Sequence, residues 1–354
     1  MRPVVVALAL AVLQLFRGVP PTTDQVFSLF GSYLESLRAQ AGIPALSAVV
    51  VGDSGIAWEQ AFGYQDIERL VGARTDTPFH VDGLTEMFTA ALVLRCVELG
   101  RLSLDERIGQ FDATSPEAGT TIRDILSETA TTTSDGTTFA YRPDRLVALA
   151  LPIRKCAGDD SFRESLSNLM DRLAMIESVP GADAVQLVPP ALGALDRTHL
   201  ERYTQLLTRL AVPYTVDGRG RPSPSPIATT TLTPSDGLIS TAHDLARFDV
   251  ALKNGLIVRQ ETLDAAWQPV RAQDGRALPH GIGWFVQTYN NQTVVWQFGV
   301  MKNAYSSLVI MLPARRVTLI LLANSDGLAR PAAIASGDVT ASPFATVFLQ
   351  LVAK

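Results

Sequence analysis

Apolar residues first recur at helical spacing in residues 24–40, where Val26, Leu29, Phe30, Tyr33, Leu34 and Leu37 share one face ahead of Gly42, and the spacing predicts an amphipathic helix. The period then shortens. Residues 45–51 form a continuous apolar, β-branched run, Gly52-Asp53-Ser54-Gly55 supplies turn chemistry, and residues 56–64 resume a strand-like pattern, so a hairpin is predicted. Residues 84–99 return to helical spacing, with Leu84, Met87, Phe88, Ala91, Leu92 and Leu99 on the apolar side and Gly100 as the stop. A loop-rich, helical middle follows. Ser161 and Glu164 form a capping box ahead of a helix reaching Leu173, and the Pro/Gly/Ser stretch 219–226 reads as an exposed loop. Thr241 and Asp244 mark another helix start, so capping and surface polarity account for Ser240, Thr241 and His243 without a catalytic role. The last third alternates again. Residues 282–288 and 294–298 flank Asn290-Asn291, residues 306–312 and 317–323 flank Pro313-Ala314-Arg315-Arg316, and a short helix over 343–352 closes the chain.

Strands at both ends of the chain around a helical middle imply an α+β fold. One antiparallel sheet is built from the two chain ends and flanked by helices, with a helical region inserted over about residues 80–270. No internal repeat or low-complexity tract interrupts residues 20–354, which are expected to form one domain. Residues 1–19 read as an export signal. Arg2 gives a positive start, and the apolar run 4–13 is far shorter than the roughly 20 residues that span a bilayer. A retained N-terminal anchor is the alternative reading. Under either, the body of the protein is expected outside the cytoplasm, in the periplasm or beyond the cell.

Composition narrows the classes further. The chain has 354 residues, 47% hydrophobic and 18% charged, which suits a large buried core and excludes a disordered polymer. Net charge is −5, and no Lys/Arg run stands out, so no nucleic-acid partner is expected and membrane contact only through an uncleaved N-terminus. Cys96 sits on the apolar side of a predicted helix (Leu92, Cys96, Leu99), where a buried free thiol is the simplest reading; a Cys96–Cys156 disulfide is the alternative. His80, His199, His243 and His280 are scattered without metal-ligand spacing, and no cofactor is expected. Asn291-Gln292-Thr293 is a glycosylation sequon, meaningful in a glycosylating host.

Five strings in order carry a resemblance: TPFHVDGLTEMFTAALVLRCVELGRLSLDERI (77–108), TTLTPSDGLISTAHDLARFDVAL (230–252), HGIGWFVQ, VVWQFGV and LVIMLPARRVTLILLANSDGL. From about residue 42 to residue 328 the chain resembles the β-lactamase-related serine hydrolases, the group of class C β-lactamases, D-alanyl-D-alanine carboxypeptidases and related esterases. The resemblance implies the β-lactamase/transpeptidase-like fold. It also implies a Ser at the start of a buried helix and a Lys one turn later, a spacing that puts hydroxyl and amine on one face so that the amine helps take the proton. A Tyr from a Y-x-N motif and a K-T-G or H-x-G strand complete that site.

Carried over residue by residue, the first motif falls on Gly83-Leu84-Thr85-Glu86, the second on Tyr141-Arg142-Pro143 and the third on Gln297-Phe298-Gly299. The stretch ahead of the second motif reads Glu128-Thr129-Ala130-Thr131, altered as well. Glycine has no nucleophile, and glutamate reverses the charge. A shift of register does not repair the loss. The residues three before Lys155, Lys253, Lys302 and Lys354 are Pro152, Val250, Gly299 and Leu351, so Ser-x-x-Lys occurs nowhere, and G-x-S-x-G is absent too.

The expectation is a catalytically incompetent scaffold with a binding or regulatory role, its cleft open to a small-molecule or peptide ligand at Gly83, Glu86, Tyr141, Gln297 and Gly299. Two alternatives stand beside it: an active hydrolase with relocated residues, Glu86 activating water near Tyr141, and a structural protein whose cleft is filled. Individual residues keep two readings as well. Glu86 projects into the cleft or pairs with Arg142, and without a cation beside it burial should raise its pKa. Tyr141 is a ligand contact or a packed aromatic. Backbone N–H groups at Gly83 offer a dock for a carboxylate. Trp296 and Phe298 point away from Gln297, into the core. Nothing in the sequence sets an oligomeric state.

Overall fold

Helix α1 (Thr23–Gln40) leads into the hairpin β1 (Ala45–Val51) and β2 (Ile56–Asp66), as the change of period requires. The computed structural model of the chain describes residues 23–132, 136–158, 160–187, 196–226, 230–329 and 333–353; the segment read as an export signal lies outside them. Short strands β3 (Val71–Gly72) and β4 (Phe79–His80) precede a 3-10 turn at Asp82–Leu84 and helix α2 (Thr85–Glu98). The middle holds α3 (Ile122–Leu126), the hairpin β5 (Thr129–Thr132) and β6 (Gly136–Phe139), α4 (Ala150–Cys156), α5 (Phe162–Arg172) and β7 (Val179–Pro180). It continues through α6 (Arg197–Thr208), β8 (Tyr214–Val216), β9 (Pro222–Pro224), β10 (Leu238–Ser240), α7 (Ala242–Lys253) and α8 (Gln260–Ala266). Strands β11 (Phe285–Tyr289), β12 (Gln292–Met301), β13 (Tyr305–Leu312) and β14 (Val317–Ala323) and helix α9 (Pro343–Val352) close the fold.

Seven strands form one antiparallel sheet in the order β11-β12-β13-β14-β1-β2-β3, so β14 joins the two chain ends. The α+β architecture expected from the sequence is the one observed. Alternation sorts each strand between two cores. Leu46, Ala48, Val50, Trp296, Phe298, Leu308, Ile310, Leu319 and Leu321 pack with α1 and α9, while Val49, Val51, Val309, Met311, Ile320 and Leu322 join α2 and α7. Each large side chain so buried is worth about 1.5–3 kcal/mol, and a one-residue slip of β12 would exchange Trp296 for Gln297 on the apolar face. The register that places Gln297 opposite α2 is therefore fixed by its neighbours.

Several expectations change. Helix α2 is not amphipathic: residues 85–94 are buried on every side, and Leu99, expected inside, is 54% exposed. A mostly apolar helix buried all round belongs in a core, here between the sheet and the helical region, with Thr85, Glu86 and Thr89 as its buried polar side chains. Strand β11 starts at Phe285 rather than residue 282, because Gly283 (φ +87) turns against Ala90 at a distance no side chain would permit. Residues 219–226 are not plain loop. Pro222–Pro224 pairs with β8 around Asp217, whose carboxylate accepts the Arg219 and Arg221 N–H groups at 2.8 and 2.9 Å. Ser240 is not surface polarity but fully buried, with its hydroxyl 2.8 Å from that of Ser178, whereas Thr241 caps α7 through Asp244 N–H as expected. Cys96 is not a free thiol: it is bonded to Cys156, joining α2 to α4. A half-cystine is as apolar as a thiol, so the helix face was the same for both readings.

Candidate functional site

The start of α2 meets the edge of β12. Asp82 adopts φ +48, a left-handed conformation, and turns the chain so that Gly83 lies against the strand. A Cβ on Gly83 would stand 2.6 Å from the Phe298 carbonyl oxygen, and one on Gly299 2.3 Å from the Val81 carbonyl oxygen and 2.7 Å from Gly83 N. Two glycines thus allow backbone to lie on backbone. The Ser307 hydroxyl donates to the Val81 carbonyl at 2.7 Å and secures the contact from β13. A hydroxymethyl group at position 83 fits only if turn and strand part.

One turn on, the Glu86 side chain is buried. Its Oε1 accepts from the Tyr141 hydroxyl at 2.9 Å and its Oε2 from Gln297 Nε2 at 2.8 Å. Gln297 is oriented by its own backbone: Phe298 N–H donates to its Oε1 at 3.0 Å, which turns the NH2 toward Glu86. The pairing with Arg142 does not form; Arg142 reaches Asp144 at 3.3 Å instead. Burial first, then the neighbouring Glu128, raises the Glu86 pKa well above the ordinary carboxylate value, and the two donors offset this only in part. Burial and Glu86 likewise raise the Tyr141 phenol, so it stays a donor. Glu128 is pushed up to about 7, chiefly by burial, although Arg142 N–H donates to it at 2.6 Å. The Tyr141 ring is half-buried, packed 5.3 Å from both Phe285 and Phe298. The ring is thus a packed aromatic, and its hydroxyl is spent on Glu86 at the edge of the cavity.

A cavity of about 270 Å³ opens here. Gly83, Glu86 and Tyr141 line it together with Asp82, Asp144, Ser235, Asp236 and Val300, while Gln297 and Gly299 stand behind. The cleft is not filled. Among the described residues its walls bring four carboxyl groups and no lysine or arginine. Burial, then Asp236, pushes Asp82 up to about 6. The sequence had missed Asp82, Asp144, Ser235 and Asp236. Thr85 and Thr89, one turn apart, are the signal that could have found two of them. They hold the 233–238 loop against α2, Thr89 donating to the Pro234 carbonyl at 2.7 Å and Thr85 accepting the Leu238 N–H at 3.3 Å. Among the described residues no group of three or more His, Cys, Asp or Glu is placed to hold a metal, and no helix is long and apolar enough to cross a membrane.

Sheet, central helix and cleft define a β-lactamase/transpeptidase-like protein. The family model described as beta-lactamase matches residues 30–340, and the chain belongs to that family. It is 23% identical over 300 residues to protein flp of Staphylococcus aureus strain MW2, covering 80% of this chain and 60% of that protein. It is 22% identical over 311 residues to penicillin-binding protein 4* of Bacillus subtilis strain 168, covering 78% and 68%. The chain thus spans only 60% of the length of the first of these relatives. The octameric penicillin-binding protein homologue from Pyrococcus abyssi superposes with a TM-score of 0.73 at 18% identity, over 93% of this chain and 78% of that one. A class C β-lactamase from Rhodobacter sphaeroides does so at 0.67 and 14%, over 92% and 98%. At such identities these likenesses show the fold.

Proposed function

We propose that this chain is a non-acylating member of the β-lactamase family that binds a small-molecule or peptide ligand non-covalently in the cleft at the start of α2. The observation that carries the reading is the Gly83–Glu86 pair. A carboxyl, held by Tyr141 and Gln297, stands where acyl transfer needs an amine, and no oxygen nucleophile precedes it. Loss of the nucleophile alone costs about six orders of magnitude in a well-studied serine protease. The crowding of Gly83 against Phe298 supports the same reading, since the present backbone leaves a serine no room. An acidic, partly aromatic wall favours ligand groups that donate hydrogen bonds or carry positive charge. An exported setting, periplasmic or extracellular, fits the disulfide, which oxidising compartments preserve. Incubating the purified protein with a fluorescent penicillin and a fluorophosphonate probe tests the proposal. No covalent label is expected on any residue, and a labelled serine would sink it.

A second reading has Glu86 activate water beside Tyr141. In its favour, Glu86 reaches the cavity. Against it, burial and Glu128 favour the protonated carboxyl, which is no base. This reading requires ester or peptide turnover that Glu86→Gln abolishes; wild-type protein without turnover above the uncatalysed rate removes it.

A further inference from the structure

We propose that the far end of α2 carries a second binding site, a cavity between α2, α4 and α5 that takes a small monocarboxylate with an apolar body. Two helix faces build it. Leu92, Arg95, Cys96 and Leu99 recur at i, i+3, i+4 and i+7 along α2 and the residue after it, and Ser165, Asn168 and Arg172 recur at i, i+3 and i+7 along α5. Both faces line one cavity of about 420 Å³, together with Ile153 of α4 and the Cys96–Cys156 bond. That volume suits a small molecule. Arg95 lies roughly 18 Å along the helix from Gly83, at 1.5 Å per residue, so nothing here depends on what the cleft at Gly83 does.

The charges select the ligand. Arg95, Arg101 and Arg172 line the cavity with Asp160 and Asp171, which leaves it one net positive charge and favours a singly charged anion. Asp171 is turned to His199 and Arg202, at 2.8 and 3.2 Å. Among the described residues the guanidinium groups of Arg95 and Arg172 make no ion pair, and burial, then Arg95, lowers the Arg172 pKa. Both stand in the last turns of their helices, where the dipole favours a cation, and an anion between them would answer both. The Ser165 hydroxyl points to the same ligand. It lines the cavity, is only 7% exposed and has no hydrogen-bond partner among the described residues. Buried polar groups are normally bonded, so a free hydroxyl in a cavity wall is a donor awaiting an acceptor. Leu92 and Leu99 supply the apolar surface, which gives the exposure of Leu99 a use. The acidic cleft at the other end of α2 would repel such a ligand.

Octanoate is the probe, titrated by calorimetry near neutral pH and at low salt, with 1-octanol and the octylammonium ion carrying the same tail without the negative charge. Saturable octanoate binding is expected, about tenfold tighter than that of either control or better. The Arg95→Gln/Arg172→Gln protein should bind octanoate about tenfold more weakly or worse, the scale of a lost hydrogen bond between charged groups, and Ser165→Ala about threefold more weakly. A second arm needs no substitution. Phenylglyoxal modifies accessible arginines, and peptide mass spectrometry reads each site. Octanoate should slow the modification of Arg95 and Arg172 in wild-type protein and leave Arg197, exposed on α6, unchanged. Wild-type protein that binds no octanoate or binds 1-octanol as tightly, a folded double variant that keeps full affinity, or arginines that octanoate does not protect would overturn the proposal.

Discussion

Glu86 reverses the charge expected one turn into α2, and its surroundings suit a carboxyl rather than an amine. Gln297 is locked with its NH2 inward by Phe298 N–H, a fixed donor to one oxygen, while the Tyr141 hydroxyl can donate or accept at the other, so the slot serves a neutral acid as well as a carboxylate. Burial and Glu128 favour the neutral acid, which a glutamine copies in shape and charge. Glu86→Gln should therefore leave stability within about 1 kcal/mol of wild type at neutral pH. Glu86→Ala should cost about 2–4 kcal/mol, because it strands buried donors and opens a void. Urea unfolding of both variants decides the point. Equal losses would mean that the pairing with Tyr141 and Gln297 contributes nothing.

Between elements, the disulfide has a wider reach than its two residues. Cys96 lies near the end of α2, whose start carries Gly83 and Glu86, and Cys156 ends α4, which follows the segment bearing Tyr141 and Asp144. The bond thus ties together the elements behind two walls of the cleft. Because it closes a separation of 60 residues, its loss in a Cys96→Ala/Cys156→Ala protein should cost about 2–4 kcal/mol. Denaturant midpoints with and without reductant measure this, and a wild-type midpoint indifferent to reductant would count against it. None of the pairing was legible beforehand, because a buried thiol and a half-cystine leave the same apolar pattern. What was legible followed from apolar runs and helical spacing: β1, β14 and α9 begin and end where the runs 45–51 and 317–323 and the helical pattern 343–352 do. What was not legible came from long-range closeness. Asp236 reaches the cleft only because Thr85 and Thr89 grip its loop, and Gly83 meets Gly299 only because β12 has an open edge beyond Trp296.

Across the whole molecule, burial sets two groups of ionisable side chains against each other. It raises Asp82 to about 6 and Glu128 to about 7, and lowers His80 and His280 to about 4. A carboxyl whose folded pKa is raised stabilises most below its unfolded value, and that contribution is lost as pH climbs through the folded one. A histidine whose folded pKa is lowered stabilises most above its unfolded value, and that contribution is lost as pH falls toward the folded one. Between the two limits the slopes oppose, so the wild-type profile should be flatter than either group would make it. Removing one side unmasks the other. Glu128→Gln deletes a loss spread from the ordinary carboxylate range up to about pH 7. At about 1.4 kcal/mol per pKa unit, the variant should gain about 3 kcal/mol on wild type between pH 4 and pH 8. Taking the difference between the two proteins at each pH cancels whatever the substitution changes uniformly. Chemical denaturation across that range provides the comparison, and curves that run parallel would mean that Glu128 ionises as freely in the fold as in the open chain.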